Sequence, residues 1–419
     1  MNSPQIPLAH NKHVGYCTNV HPGPDLTTLR KNLTEYCIPI REIVAPQAKL
    51  GVGLWFSESS ATEALQGFNL ALLKEQLEEG GLVPFTLNGF PQGDFHSQVV
   101  KHRVYRPTWW QPERKDYTLD LIRVLDALLP AGMVGSISTL PIAWNEPAPT
   151  AEQLSQAAKN LLHVAKSLHQ LQQTTGREIV IAIEPEPGCY LTDSHTFREF
   201  YENYLSTPFL SSSESEMAHR YLTLCHDVCH AAVMFEDQPS ELRKLASDGI
   251  RIGKVQVSSA IEVDWSKMND STKKLAIDQL ACFAEDRYLH QTTKQDSPAD
   301  PVRMVQDLGE ALVGIPALGP LGRWRVHFHV PIFLKSFGLL QSTQDEIATL
   351  LRILDNSNSS LPDFTVTDFT VTDFTVPDFT GHYEIETYAW GVLPKEMRDA
   401  GLVAGISQEL QWFRKMLNA

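Results

Sequence analysis

Four stretches of the chain place a carboxylate or an amide where an apolar run ends, the pattern expected of side chains that bind something at the mouth of a sheet. In EIVIAIEPEPG, Glu184 closes the run IVIAI and Pro185 stops regular pairing, with Glu186 two residues further on. In LCHDVCH, Asp227 and His230 are three residues apart. If a helix starts there, both can point into one site, or Asp227 can cap the helix while His230 packs beneath it. In IGKVQVSSA, Gln256 sits between Val255 and Val257, which take the opposite face. A buried amide needs partners, whether a metal, a substrate hydroxyl or a core hydrogen bond. In HYEIETYAW, Glu384 and Glu386 share one face against Tyr383 and Ile385. Two carboxylates aimed into a core repel unless a cation or a shared proton intervenes, and a metal is the simplest cation.

Other residues could join such a site. RVHFHVPIF alternates His327 and His329 with Val326, Phe328 and Val330, so both imidazoles face one way, as two metal ligands, a ligand and a proton carrier, or a polar solvent face. Asn19 and His21 follow an early apolar run, and His96, Lys101 and the cluster of Tyr105, Trp109 and Trp110 follow a later one. Aromatic walls with a few polar tips suit sugar-like ligands, although tryptophans also complete cores. Cys225 and Cys229 with His226 and His230 lack a second pair at a zinc-finger spacing, and the six cysteines are scattered as reduced thiols would be.

The elements that must position these residues alternate. HVGYCTN, KLGVGLWF, LVPFTLN, GMVGSIST, EIVIAIEP, YLTLCHD, IRIGKVQVS, RVHFHVPIF and HYEIETYAW read as strands, one more than a closed eight-stranded barrel needs. Amphipathic segments lie between them: LTTLRKNLTEYC capped by Asp25, ATEALQGFNLALLKEQLEE capped by Ser59 or Ser60, and AEQLSQAAKNLLHVAKSLHQLQQ capped by Thr150. Repeated strand-then-helix units without a glycine-rich dinucleotide fingerprint favour a single (β/α)8 barrel spanning 1–419. Residues 260–321 hold helix-like stretches without a clear strand and read as a helical insertion after the seventh strand. The tract PDFTVTDFTVTDFTVPDFT, within 358–381, repeats a five-residue unit that suits neither a helix nor a strand face and reads as a loop before the last strand.

Composition narrows the partners. A formal net charge of −15 argues against tracking a nucleic-acid backbone, which needs clustered Lys and Arg, and favours a small molecule. No run reaches the roughly 18 apolar residues of a membrane span, and the polar start MNSPQIPLAHNKH lacks the core of a signal peptide, so a cytoplasmic protein without membrane insertion is expected.

Taken together, these motifs resemble the xylose-isomerase-like TIM barrels, the superfamily of sugar epimerases, hydroxypyruvate isomerase and the endonuclease IV type of nuclease. IEPEPG is similar to the fifth-strand IEP segment of the hydroxypyruvate isomerase branch, HDVCH to its sixth-strand D-x-x-H, and IGKVQVS to its IGHIQIA. The resemblance implies Glu184, Asp227, Gln256 and Glu386 as ligands of a divalent metal (Mn, Mg, Co or Zn), with His329 as a substitute or fifth ligand. It further implies Glu184 and Glu386 as the groups that remove and return a proton, and His230 as a substrate contact. His327, Glu186, Asn19, His21, Lys101 and Trp109 complete the expected substrate side. From GYCTNVHPG through HFHVPIF to ETYAWGVLP the chain is also similar to bacterial metabolite-traffic proteins of this superfamily, which implies other proteins of one pathway as partners. Lys254 departs from the pattern, standing where the isomerases have a histidine. Three functions are therefore expected to compete: a metal-dependent isomerase or epimerase of a sugar-like metabolite, a metal-dependent phosphoester hydrolase using His327 and His329 for further metals, and a non-catalytic metabolite-binding scaffold.

Overall fold

The computed structural model describes residues 12–207, 210–315, 320–354 and 378–418. Its centre is a closed, all-parallel barrel of β1 (His13–Cys17), β2 (Leu50–Trp55), β3 (Leu82–Asn88), β4 (Gly135–Thr139), β5 (Ile179–Ile183), β6 (Leu222–Asp227) and β7 (Ile252–Val257), shut by the last strand of the chain. Between β7 and that last strand, the chain builds a second sheet from β8 (Ile261–Asp264), β9 (Thr292–Gln295), β10 (Arg303–Val305), β11 (Arg323–Val326), β12 (Ser336–Phe337) and β13 (Leu340–Ser342). The closing strand, β14 (His382–Ile385), then pairs with β7 on one side and β1 on the other. The chain is thus a (β/α)8 barrel.

The barrel forms because each βα unit has one apolar face to bury. Residues Ala151–Thr175 form a long helix whose Leu154, Ala157, Leu161, Val164, Ala165 and Leu168 recur at three- and four-residue spacing and are buried. Thr150 and Gln153 close a capping box at its start, and Gly176, at φ +74°, ends it in the left-handed conformation that glycine adopts without strain. Asp25 caps its helix as expected, accepting from the Thr28 amide. The expected helix from Ala61 is instead two, Glu58–Ala64 and Asn69–Glu79, separated at Gly67 (φ +54°), and its cap is Ser57 rather than Ser59 or Ser60.

Two expectations about the later chain need correction. The ninth strand candidate does not enter the barrel. Only Arg323–Val326 is a strand, and it pairs antiparallel with β8 and β9 in the second sheet. Residues 260–321 are not simply helical either, since they hold β8, β9 and β10 alongside the helices Asp270–Ala281 and Leu308–Val313. Their strands are three or four residues long and polar in β9, too short to show an alternating pattern. Most of the five-residue repeat lies outside the described residues. Of its end, Phe379 bridges to Ile252 and Gly381 accepts from the His13 amide.

Inside the barrel one glycine is fixed by a neighbour. A Cβ added at Gly53 would lie 1.2 Å from Glu384 Oε1, so the Glu384 carboxylate occupies the space a side chain on β2 would take.

Candidate metal centre

The carboxyl ends of β5, β6, β7 and β14 converge on one point. Asp227 is level with Gln256, and Gln256 with Glu384, so all three face the barrel interior, with the Glu384 carboxylate turned down to Lys254, two residues before Gln256 on β7. Glu386 lies two residues further along its strand direction, and Glu184 immediately follows β5. Ligand oxygens of Glu184, Asp227 and Glu386 all lie within 4.8 Å of one another, and all three residues are buried. Asp227 does both things its motif allowed. Its Oδ1 accepts from the His230 amide and the Ser258 hydroxyl, capping the helix Val228–Val233, while its Oδ2 has no hydrogen-bond partner.

Orphaned buried atoms test whether a cation fits. Glu184 Oε2, Asp227 Oδ2, both polar atoms of Gln256 and His329 Nε2 are buried without a hydrogen-bond partner. Leaving even one such group unsatisfied costs about 1–3 kcal/mol, and a cluster of them at one place fits a ligand set that a cation would complete. The tautomer of His329 agrees. Its Nδ1 donates to the Glu386 carbonyl (2.8 Å), which leaves Nε2 with a lone pair, 3.9 Å from Asp227 Oδ2. Oxygen and imidazole donors with an amide suit a divalent cation of the magnesium, manganese or zinc kind.

Electrostatics point the same way. Burial, then the Glu386 and Asp227 charges, push Glu184 well above the usual carboxylate range. Burial, with the Asp227 and Glu384 charges, raises Glu386 to about 8. Asp227 is held below its ordinary value because His230 and His329 outweigh the effect of its burial. Burial lowers His329 to about 4, keeping the ring neutral and able to bind a metal.

His327 and His329 reach the mouth because the chain leaves β11 and runs across it. The His327 amide donates to Gln291 O and the Val330 amide to Ser259 O. A second cluster forms beside the first. His230 Nδ1 donates to Pro185 O (2.8 Å), and His327 Nδ1 donates to Gln291 Oε1 (2.7 Å), an orientation fixed by Gln291 Nε2 donating to Glu186 and to Pro187 O. The two Nε2 atoms meet at 3.1 Å, within hydrogen-bond distance, with Glu186 close enough to complete a group of three.

No family model matches the chain, and no curated protein matches it. Solved structures do. A xylose isomerase domain containing protein from Salmonella typhimurium is 10% identical over 98% of both chains, at a TM-score of 0.40. A xylose isomerase-like TIM barrel protein from Mycobacterium smegmatis, in complex with magnesium, is 10% identical over 67% of this chain and 90% of that one, also at 0.40. The 3-keto-D-glucoside 4-epimerase of E. coli is 14% identical over 66% and 90%, at 0.36. At TM-scores this low, the reading of the site rests on the chain's own residues.

The remaining expected residues divide. Asn19 donates to Glu386 Oε1 (2.6 Å), and Lys101, Glu186, His230 and His327 line the same cavity as Glu184, Glu386 and His329. His21 does not line it. It stacks on Tyr36 and contacts the Tyr16 hydroxyl, and burial drives its pKa down to about 3. Trp109 is fully buried and donates to Leu140 O, so its indole belongs to the core. His96 contacts Asn19 O from behind, and Trp110 lines a separate surface hollow. Cys225 and Cys229 do not gather a zinc site with His226, which turns to Gln238.

Sequence reasoning missed several neighbours. Asn88 also donates to Glu386 Oε1 (3.2 Å), and it ends LVPFTLN as a polar residue at a strand mouth, the rule that found the others. Gln291 lies on the insertion, and nothing local to it signals a site. Beneath the ligands, Lys254 Nζ contacts Glu384 Oε2 at 2.5 Å, both side chains fully buried. Burial would lower Lys254, but Glu384 overrides that and holds the ammonium charged.

Proposed function

We propose that the chain is a metal-dependent isomerase or epimerase of a sugar-like hydroxy-carbonyl metabolite. The convergence of orphaned buried atoms on Glu184, Asp227, Gln256 and His329 beside Glu386 carries this reading. A divalent cation held there would draw charge from a carbonyl and its neighbouring hydroxyl, lowering the cost of removing a proton from the carbon between them. Glu184 and Glu386 come from strands three places apart around the barrel, so their carboxylates approach from different directions and can take a proton at one carbon and return it at the next. Asn19 and Asn88 orient Glu386, and His230, fixed by Pro185 O, steadies a substrate oxygen. We place the reaction in secondary-metabolite precursor processing or traffic, on the sequence's resemblance to the metabolite traffic protein EboE. No described helix is long and apolar enough to cross a membrane.

The grouping of His230, His327 and Glu186 favours one second reading, a phosphoester hydrolase that holds a further cation there. Elemental analysis of the purified chain separates the two. About one divalent ion per chain, with loss of turnover in Glu386→Gln, supports the isomerase. Two or three ions, with hydrolysis of a phosphoester, replace it. Ligand binding that survives removal of the metal, without turnover, would make the barrel a carrier.

A further inference from the structure

The walls above the metal donors differ in kind from the donors themselves. Phe90, Pro91, Phe95, Val100, Val104 and Leu289 line the same cavity. Three rings close over it. Phe95 from the loop after β3, Tyr288 from the insertion and Tyr388 after β14 stand 5.0 to 5.5 Å from one another, each touching the other two. Tyr388 also lies 4.6 Å from the His329 ring, so this collar begins where the ligand set ends.

The polar tips in that wall are already engaged. Tyr105 gives its hydroxyl to Glu186, Tyr288 to Phe95 O, and the Lys101 ammonium pairs with Asp307 at 2.8 Å. Among the described residues, the Tyr388 hydroxyl alone of the wall's tyrosines and lysine has no such partner. A ketohexose carries several hydroxyls beyond its hydroxy-carbonyl head, and each needs a partner in a buried site. This wall offers them little, and it offers an apolar group rings and branched side chains to lie against. The cavity measures about 60 Å³, room for a few waters, so an occupant of any size turns the collar's side chains aside and then lies among them.

We propose that the occupant is amphiphilic: a hydroxy-carbonyl head at the metal donors and an aromatic or hydrocarbon substituent, rather than a polyol chain, within the ring collar of Phe95, Tyr288 and Tyr388. This rests on the isomerase reading for the head group, while the tail follows from the wall. The loop that carries Phe95 is fastened to the insertion, with the Val100 and Lys101 amides both donating to Arg287 O (2.7 and 3.0 Å), so the loop backbone stays anchored while the collar's side chains make room.

The test compares two ketols on the full chain loaded with Mn2+, D-fructose and 1-hydroxy-4-phenylbutan-2-one, by calorimetric titration and by deuterium uptake at the carbon beside the carbonyl in D2O. The aryl ketol is expected to bind roughly tenfold more tightly or better. That preference should shrink toward unity in Phe95→Asn and persist in Phe95→Leu, which keeps an apolar wall. Equal or tighter binding of D-fructose, no binding of either ketol, or a preference unchanged in Phe95→Asn overturns the proposal. Tight aryl-ketol binding without deuterium uptake overturns the isomerase reading and leaves the collar standing. Deuterium uptake into both ketols without a preference does the reverse.

Discussion

Two charged layers lie one above the other in the same barrel, and they are balanced differently. In the lower one, Lys254 and Glu384 are fully buried and 2.5 Å apart, a pair whose charges cancel within the protein. In the upper one, Glu184, Asp227 and Glu386 bring three carboxyl groups together, and His329 Nε2, 3.9 Å from Asp227, offers a lone pair rather than a charge. A buried charge is tolerated when paired and is costly when not. The floor thus balances its charge within the chain, with only Glu384 Oε1 left unpaired, whereas the mouth gathers several donor atoms that the chain itself does not satisfy. That imbalance, more than the presence of acids, separates a structural layer from a binding one.

The comparison can be broken most directly at the mouth. Glu386→Gln should lower turnover about a thousandfold, roughly 4 kcal/mol of barrel-mouth chemistry, while the metal-free chain melts no lower, because a neutral amide replaces a group whose charged form burial already disfavours. If melting falls along with turnover, Glu386 is structural and the contrast fails. At the floor the opposite is expected. Lys254→Met should destabilise the fold by about 3–5 kcal/mol in denaturant titration, since it strands Glu384, whereas Lys254→Met with Glu384→Leu should recover most of that loss.

Acidity sharpens the contrast further. Glu386 is raised to about 8, and Glu236 and Glu409 to about 7, each by burial first. Between the ordinary carboxylate value and these values, the folded chain holds more protons than the unfolded one, so stability is lost as pH rises. The metal-free chain should therefore melt a few degrees lower at pH 8 than at pH 5, on a scale of about 1 °C per kcal/mol for a chain of this length. Saturating metal should flatten or reverse the slope, because the ligands bind deprotonated. A slope that ignores the metal would detach Glu386 from the site. The smallest effect is expected from Asn88→Ala, which removes one hydrogen bond to Glu386 and should weaken metal affinity about tenfold by competition against a chelator.

What the sequence revealed followed from how local each signal was. Glu184, Asp227, Gln256 and Glu386 each interrupt an apolar run at a strand end, so their type and position are visible within a few residues. His327 and His329 were visible as a pair. Their route was not, because it depends on amides reaching Gln291 O and Ser259 O, residues brought near only by the second sheet. The strands of that sheet are too short to carry a period, and Tyr288 and Gln291 reach partners up to 193 residues away in sequence. His21 and Trp109 illustrate the opposite error. A polar or aromatic residue near a strand end reads toward the cavity, although stacking on Tyr36 and a bond to Leu140 O hold these two elsewhere.

The empty position on β2 beside Glu384 has a consequence for inheritance. Because the carboxylate fills the volume that a methyl group at Gly53 would need, Gly53 cannot gain a side chain while Glu384 stays. Lineages of this barrel should carry the two as a linked pair: glycine at 53 wherever an acid stands at 384, and a side chain restored at 53 only where the acid has gone.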